Sequence, residues 1–462
     1  MLFQFLASAA LISSPVAAQD KGAGAKAERD LLEKTVEIPT VQMRGQVPRL
    51  VQLLSAEFRK SGITDITIKD YEGRPGDKTQ AMVVRWPAAS PSGKRGIVLM
   101  AHMDVVEAKA ADWKNDPFTF REQDGYYLGR GVSDDKAGVV AIVAALARLK
   151  ASGFKPTRDI IVLFTGDEEN AGNGARLAAA DWGLLKGAEY ALNLDDGGCG
   201  VYKDGRIEGC YIQVAEKTYA DFTFRATNRG GHSSAPRTDN AIYQLAAALK
   251  SLEEYRFKPM LTDANRGQYE YIAQNDKGAF GSIVQAWLED PDNMEKADAV
   301  EAVDSGHTRT RCIATQLSGG HAPNALPQKA EANVNCRIFP GVDPALVAKE
   351  LQAIAGKEVT VSLADAASWS QPSPLRDDVL NAFRKAVQTK FPGAPIIPAM
   401  SAGATDGLFT RANGIPTYGA AGFWGVIGEE LGIHGLDERI PVKSFHDGVD
   451  VLELMLRDLA GH

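Results

Sequence analysis

Residues that can bind metal ions or transfer protons stand at the ends of several apolar runs in this sequence. Each run is typical of a buried strand, and the residues that follow these runs are His102, Asp134, Glu168, Glu169, Asp196 and His434. Burying carboxylates at the mouth of a hydrophobic sheet costs free energy unless a partner compensates their charge. A pair of divalent cations would provide that compensation, and the sequence therefore predicts a metal site.

The first of these groups is His102-Met103-Asp104. Side chains alternate along a strand, so His102 and Asp104 are expected to point the same way. A carboxylate beside a metal-binding imidazole fixes its tautomer and raises its basicity. The alternative interpretation is a core histidine that is hydrogen-bonded to an aspartate.

Asp134 lies in the segment Gly129-Arg-Gly-Val-Ser-Asp-Asp-Lys136, immediately before a predicted helix. A carboxylate in that position could bridge two cations. The alternative is a helix N-terminus, where aspartate is favoured as a cap and by the helix dipole.

Three adjacent carboxylates, Asp167, Glu168 and Glu169, follow another apolar run. They repel one another unless cations screen them, so one glutamate is expected to bind metal while its neighbour holds a proton. A solvated acidic turn is the alternative. Asp195 and Asp196 repeat the pattern after the next run. Four further histidines fit no such pattern and are interpreted as structural or solvated: His307, His321, His446 and His462.

The segments that carry these residues alternate between apolar runs and helical patterns over residues 25–214. Residues 97–101, 160–164 and 190–194 are predicted strands, and 137–149 is a predicted helix. This order is typical of an α/β fold, a three-layer domain with a mainly parallel sheet. Such sheets bind ligands at the carboxyl ends of their strands, where the candidate residues fall.

A second pattern begins near residue 211 and has the order β-α-β-β-α-β of a ferredoxin-like α+β domain. Its predicted strands are 221–226, 312–317, 330–338 and 359–363, and its predicted helices are 240–255 and 344–355. The polar segment 256–308 interrupts this order, and the sequence predicts no fold for it. The α/β pattern resumes near residue 370. We therefore predict a catalytic domain of residues 19–214 and 369–462, with residues 215–368 inserted.

Composition narrows the range of functions. The chain has 462 residues, of which 44% are hydrophobic and 24% charged, as in a soluble globular enzyme. Its formal net charge of −8 argues against nucleic acid or an anionic membrane as a partner.

Residues 1–18 form a short apolar run that ends in Val16-Ala17-Ala18. They are predicted to be a signal peptide, although no lysine or arginine precedes the run. We therefore expect an exported protein, periplasmic or secreted. In such a compartment Cys199 could pair with Cys210 and Cys312 with Cys336; buried free thiols are the alternative.

Taken together, the motifs resemble those of the co-catalytic dinuclear zinc peptidases that include carboxypeptidase G, aminoacylase, carnosinase and succinyl-diaminopimelate desuccinylase. The resemblance covers nearly all of the chain after residue 18. The segments that carry it are His102-Met-Asp104, Gly129-Arg-Gly-Val-Ser-Asp-Asp-Lys136, Thr165-Gly-Asp-Glu-Glu169, Gly231-His-Ser-Ser-Ala-Pro236, Asn324-Ala-Leu-Pro327, Arg337-Ile-Phe-Pro340, Gly403-Ala-Thr-Asp406 and His434-Gly-Leu-Asp-Glu438.

The resemblance implies two zinc ions per chain, with Co²⁺ or Mn²⁺ as other candidates. His102 and Asp196 would bind one ion and Glu169 and His434 the other. Asp134 would bridge them, with a cis peptide bond to Asp135 as in relatives.

The resemblance also implies the catalytic groups. Asp104 would contact His102 on the side of the imidazole that faces away from the metal. Glu168 would be the general base, which takes a proton from the attacking water and passes it to the leaving amine.

Further roles are implied for the inserted domain, which in relatives forms a lid and a dimer contact. His232 would reach the oxyanion, and in dimeric relatives this histidine comes from the other subunit. Asn324, Arg337 and Gly403 would hold the substrate, with Arg337 as a fork for a carboxylate. The segment 256–308 lies in this domain, so the mode of association is left open.

One position departs from part of the family. Position 196 is aspartate, which aminopeptidases and dipeptidases of the group carry more often, whereas carboxypeptidases and aminoacylases have glutamate. Asp195 could be the ligand in its place. We therefore expect an exopeptidase that hydrolyses dipeptides or short peptides, a small peptide being its partner. An N-acyl amino acid deacylase or a glutamate-releasing carboxypeptidase is the alternative, and a non-catalytic binding protein is a third.

Overall fold

The computed structural model describes residues 21–90 and 92–461 of the chain. The predicted signal peptide, residues 1–18, lies outside the described residues. The helices are α1 Lys21–Val36, α2 Val47–Lys60, α3 Lys136–Ala151, α4 Asn173–Ala179, α5 Ala241–Glu254, α6 Asp263–Asn275, α7 Ala279–Leu288, α8 Met294–Glu301, α9 Pro344–Ala355, α10 Asp377–Gln388, α11 Gly407–Ala412 and α12 Val442–Ala460. The strands are β1 Asp65–Glu72, β2 Lys78–Trp86, β3 Gly96–His102, β4 Arg121–Gln123, β5 Tyr126–Leu128, β6 Ile160–Thr165, β7 Ala188–Asn193, β8 Gly198–Val201, β9 Ile207–Glu216, β10 Thr218–Thr227, β11 Gly231–His232, β12 Arg311–Gly319, β13 Ala325–Leu326, β14 Lys329–Ile338, β15 Val359–Leu363, β16 Ile396–Ser401, β17 Thr417–Gly419, β18 Trp424–Val426 and β19 Arg439–Pro441.

A large mixed sheet has the strand order β1-β2-β6-β3-β7-β17-β9-β8-β18, and β16 pairs with β9. Its central strands β6, β3, β7 and β17 run parallel, whereas the outer pairs β1–β2, β2–β6 and β8–β9 are antiparallel. Every residue of β3 and β6 is buried, because helices and loops cover both faces of the sheet. The predicted three-layer α/β architecture with a mainly parallel sheet is confirmed.

The parallel pairing places three functional segments at one edge of this sheet. Strand β3 ends at His102, β6 at Thr165 and β7 at Asn193, and these strands are direct neighbours. The residues that follow each strand therefore meet above the same edge, as the sequence predicts.

The chain between β9 and β16 builds a second, antiparallel sheet with strand order β12-β14-β10-β15. Helices α5 and α9 pack on it through a separate hydrophobic core. The order β10-α5-β12-β14-α9-β15 is the ferredoxin-like order that the sequence predicts. Strand β12 is an edge strand, and its side chains are almost all exposed.

Residues 256–308 fold into the three helices α6, α7 and α8, for which the sequence predicts no structure. Their small core is built around Tyr269, Val284 and Trp287, and the rings of Tyr269 and Trp287 pack edge to face. Helix α6 also lies on β16 of the large sheet, and the Tyr271 hydroxyl donates to the Glu208 carbonyl of β9. We call residues 256–308 the helical brace, because they contact both sheets.

The four cysteines are paired as Cys199–Cys210 and Cys312–Cys336. Each pair joins residues directly opposite on neighbouring antiparallel strands, β8 with β9 and β12 with β14. Of the two interpretations of the cysteines, the structure shows the disulfides. Among the described helices, we find none with the length and apolar character that crossing a bilayer requires.

Candidate metal centre

Two groups of metal-ligand side chains meet above the carboxyl edge of the large sheet. The first consists of His102, Asp134 and Asp195, whose candidate ligand atoms all lie within 4.8 Å of one another. His102 is 1% exposed, and its Nε2 lies 2.9 Å from Asp134 Oδ1 and 3.4 Å from Asp195 Oδ1.

The second group consists of Asp134, Glu169 and His434. His434 Nε2 lies 3.0 Å from Glu169 Oε1 and 3.1 Å from Asp134 Oδ2. The two oxygens of Asp134 are thus directed at different imidazoles, which is the arrangement that a carboxylate bridging two cations needs. The peptide bond between Asp134 and Asp135 is cis, as the family resemblance implies.

Glu438 holds the loop that presents Asp134. Its buried carboxylate accepts backbone N–H groups from Gly131, Ser133 and Asp134 at 2.8–3.0 Å and is paired with Arg130 at 2.6 Å. Arg130 also donates to the carbonyl of Gly435, one residue after His434. A single ion pair therefore fixes Asp134 and the loop of His434 relative to each other.

Asp104 fixes the other side of the centre through its backbone carbonyl as well as its carboxylate. His102 Nδ1 lies 3.0 Å from the Asp104 backbone carbonyl and 3.6 Å from its carboxylate, so the carbonyl is the closer partner. The carboxylate instead accepts the backbone N–H groups of Glu168 and Glu169, at 3.1 and 3.0 Å. Asp104 thus orients the imidazole and both glutamates together.

The aspartate that joins the first group is Asp195, whereas Asp196, the ligand that the resemblance implies, belongs to neither group. Asp196 accepts the N–H of Gly197 at 2.6 Å. Gly197 has φ +91°, and a Cβ there would lie 2.5 Å from the Gly419 carbonyl oxygen. This closely packed turn follows directly after the two aspartates, and Asp195 Oδ1 lies 3.4 Å from His102 Nε2.

Electrostatics in the centre reflect an excess of negative charge. Burial, reinforced by the charge of Asp195, raises the pKa of Glu168 well above its usual range. Burial also raises the pKa of Asp195 to about 7, although His102 opposes this shift. Hydrogen bonds to Asp134 and Glu169 raise the pKa of His434 to about 10. The two imidazoles do not balance the carboxylates around them, so these residues suit divalent cations, which favour carboxylate and imidazole ligands.

The four remaining predicted residues, His232, Asn324, Arg337 and Gly403, belong to neither group of metal ligands. His232 and Asn324 are brought together, because Ser233 N–H donates to the Asn324 carbonyl at 3.0 Å. Both are exposed, and no contact joins them to the metal residues within the described part of the chain. Arg337 lies on β14 with its guanidinium 5.0 Å from the ring centre of Tyr219. Gly403 follows β16, and its N–H donates to Ser401 Oγ.

Sequence reasoning assigned no role to Glu438 or Asp406, although both stand in quoted motifs. Asp406 is buried and accepts a hydrogen bond from Thr165 Oγ1 at the end of β6. Burial, with Asp167 nearby, raises the pKa of Asp406 well above its usual range. The sequence signal that could have identified Glu438 is an acidic residue in the same short motif as a predicted ligand, four positions after His434.

A cleft of about 540 Å³ opens beside the metal residues. Asp134, Asp195 and Asp196 form one end of it. Its wall is mostly apolar and includes Leu194, Phe423, Trp424, Val426, Ile427, Leu431 and Ile433. Its volume falls within the range of roughly 300–1,000 Å³ typical of small-molecule sites.

Comparison with known proteins agrees with this geometry. Residues 98–458 match the model of peptidase family M20/M25/M40. The human N-fatty-acyl-amino acid synthase/hydrolase PM20D1 is 32% identical over 375 residues, which cover 76% of this chain and 72% of the relative. Two solved structures share the fold: the M20 metallo-carboxypeptidase Sso-CP2 of Sulfolobus solfataricus (TM-score 0.66, 20% identity, 93% of this chain and 98% of that one) and the di-peptidase Dug1p of Saccharomyces cerevisiae (TM-score 0.64, 17% identity, 95% and 96%).

The assignment of Asp195 predicts different metal contents for two neighbouring variants. Asp195→Asn should lower the bound metal by about one equivalent per chain, because a neutral amide is a poor substitute for a ligating carboxylate. Asp196→Asn, the matched control, should bind as much metal as the unaltered protein. Metal analysis after dialysis against trace zinc measures both. The reverse pattern would restore Asp196 as the ligand.

Proposed function

The chain belongs to peptidase family M20/M25/M40, and we propose that it is a dinuclear exopeptidase that hydrolyses dipeptides or short peptides carrying a large apolar group beside the scissile amide. Family membership makes the protein a metal-dependent hydrolase. The observation that carries the proposal is that two groups of metal ligands share Asp134 and adjoin an apolar cleft, with Glu168 immediately before the ligand Glu169 in the chain.

We propose two ions per chain, with zinc as the native metal and Co²⁺ or Mn²⁺ as substitutes. His102, Asp134 and Asp195 would hold one ion, and Asp134, Glu169 and His434 the other. When bound, such ions lower the pKa of water and polarise a carbonyl group. Mixed nitrogen and oxygen ligands suit all three metals.

Glu168 performs the proton transfers in this proposal. Asp104 holds its backbone N–H, and the side chain is half-buried beside the ligands. The carboxylate takes a proton from the attacking water and passes it to the nitrogen of the leaving amine, so that one group serves as base and then as acid.

Replacing one carboxylate oxygen of Glu168 by an amide nitrogen should separate metal binding from catalysis. Glu168→Gln is expected to keep the full metal content, because Glu168 is not in either ligand group. Turnover should fall by roughly 10²–10⁴-fold, the usual contribution of a general base. Metal analysis and steady-state kinetics on one preparation test this, and a variant that remains fast would show that Glu168 is not the base.

The apolar cleft decides which substrates fit. Its volume of about 540 Å³ is far larger than a small side chain such as alanine would fill, and its wall includes aromatic and branched residues. A bulky apolar residue or an apolar acyl chain would bury its surface there, at about 25 cal/mol per Å². An N-acyl amino acid deacylase is therefore the second candidate, which the name of the human relative also favours.

A polar change in the cleft wall tests this preference. Ile427→Ser should lower kcat/KM for a leucine or phenylalanine dipeptide by about 10-fold or more, and that for alanyl-alanine much less. Ile68→Ser is the matched control, since Ile68 is exposed on β1 and does not line the cleft. An equal loss for all substrates would contradict the assignment of the cleft. Parallel assays with decanoyl-leucine distinguish peptidase from deacylase.

We also propose that two copies form the working enzyme. The edge strand β12 exposes Ile313 and Leu317, which are 61% and 71% exposed, and Tyr243 on α5 is 70% exposed. An exposed apolar edge strand favours pairing with another strand. A second copy seated there would bring the partner's His232 to a cleft that this chain's own His232 does not contact.

Complementation between inactive variants tests the dimer. Glu168→Gln and His232→Ala should each be inactive alone. After mixing and refolding in equal amounts, about a quarter of the sites should combine an intact Glu168 with a partner's intact histidine, because half of the dimers are mixed. Recovery of about a quarter of the activity is expected. No recovery would place His232 in its own chain's site, and a His232→Ala variant that is active alone would place His232 outside catalysis.

A further inference from the structure

One wall of the apolar cleft is built by two short strands at the end of the large sheet. Cys199 and Gly200 of β8 line the cleft, together with residues 424–427 of β18 and the turn after it. Strand β18 pairs with β8, with Trp424 opposite Cys199 and Gly425 opposite Gly200. Among the described strands of this sheet, β8 is the only one that pairs with β18. The position of this wall therefore depends on β8.

Ile427, at the end of the wall, lies directly on β8. Its backbone N–H donates to the Val201 carbonyl at 2.9 Å. Its side chain packs over Gly200, where a Cβ would lie 3.3 Å from Ile427 Cδ1. At the other end of the pairing, the Cys199 N–H donates to the Phe423 carbonyl at 2.8 Å. A displacement of β8 would therefore move Ile427 with it.

Helix α12 holds only the beginning of β18. The backbone N–H of Trp424 donates to Ser444 Oγ at 2.6 Å, and its indole N–H donates to Asp447 Oδ2 at 3.0 Å. The far end of the wall, at Ile427, bonds to β8 instead. This far end is the part of the cleft whose position β8 controls.

Strand β8 has few side chains with which to hold its own place. Two of its four residues are glycines, which weaken a strand because they have no side chain to pack. Its pairing with β9 is irregular between Gly200 and Val201. The Cys199–Cys210 disulfide joins the two strands at directly opposite positions. Cys210 is fully buried on β9, which also pairs with β16 and β17. The disulfide thus connects the cleft wall to the interior of the sheet.

We propose that the Cys199–Cys210 disulfide determines substrate specificity, because it keeps the cleft wall in contact with a bulky apolar group of the substrate. This inference rests on the proposed function and adds a covalent bond, outside both groups of metal ligands, on which substrate choice depends. Dispersion attraction falls steeply with separation, and a gap of roughly 0.5–1 Å forfeits a quarter to a half of it. A wall released from β9 would lose contact with a leucine side chain, whereas an alanine methyl group fills little of the cleft and would lose little.

Removing each disulfide in turn, in the zinc-loaded full chain, tests this role. We expect Cys199→Ala/Cys210→Ala to lower the ratio of kcat/KM for leucyl-alanine to that for alanyl-alanine by about 3- to 10-fold, since part of the contact that distinguishes the two side chains is lost. Cys312→Ala/Cys336→Ala is the matched control, because this disulfide also joins opposite residues of antiparallel strands but does not line the cleft. Any loss of stability or association in the control acts on both substrates alike, so its ratio should equal that of the unaltered enzyme.

Reduction of the folded enzyme is the second measurement, and it carries the test if Cys199→Ala/Cys210→Ala does not fold. In the Cys312→Ala/Cys336→Ala variant, Cys199 and Cys210 are the only cysteines left in the sequence. A phosphine reductant is applied until titration finds two free thiols per chain. The ratio should fall on reduction and return on reoxidation with oxidised glutathione, while the metal content of the same samples stays constant.

A ratio that stays unchanged without the Cys199–Cys210 bond would overturn the inference, because the disulfide would then serve stability alone. The same change of ratio in the Cys312→Ala/Cys336→Ala control would also overturn it. If the unaltered enzyme cleaves only acyl amino acids, decanoyl-leucine and acetyl-leucine replace the two dipeptides, since the inference concerns the cleft wall and not the amine. If the unaltered enzyme cleaves none of these substrates, the proposed function fails and the inference fails with it.

Discussion

The pairing of Glu438 with Arg130 is the interaction on which the metal centre depends. It joins segments about 300 positions apart in the sequence, and both side chains are almost fully buried. A buried carboxylate is costly unless its charge and its lone pairs are both satisfied. Here three backbone N–H groups and a guanidinium satisfy them. The need to satisfy one buried charge thus determines where Asp134 and the His434 loop lie.

Other carboxylates around the metal centre also accept hydrogen bonds from backbone N–H groups. Asp104 accepts the N–H groups of Glu168 and Glu169, Asp167 accepts those of Asn173 and Gly174, and Asp135 accepts that of His102. In each case one carboxylate fixes the backbone while a neighbouring side chain remains free for chemistry. This division explains why acidic residues stand in adjacent pairs and triplets in the sequence. Within a pair, one member orients the chain and the other is available to an ion or a substrate.

The sequence was sufficient for the parts of the site that regular structure determines. Strands β3 and β6 are buried and almost entirely apolar, so the positions of His102, Glu168 and Glu169 at or just after their ends could be predicted. The choice between Asp195 and Asp196 could not be predicted, because it depends on the turn after β7 and not on the alternation of side chains along a strand. The closer contact of His102 with the Asp104 carbonyl was missed for the same reason. The helices of the brace escaped prediction because their core consists of a few scattered residues such as Tyr269 and Trp287, within an otherwise polar segment.

The two ends of the brace meet: the N–H of Met260 donates to the carbonyl of Thr308 at 2.8 Å, and Arg309 reaches the carbonyl of Phe257. Because the two ends of the brace lie side by side, the whole segment could be replaced by a short turn between α5 and β12. We call such an exchangeable segment a cassette. Evolution could exchange such a cassette among paralogues without moving a metal ligand.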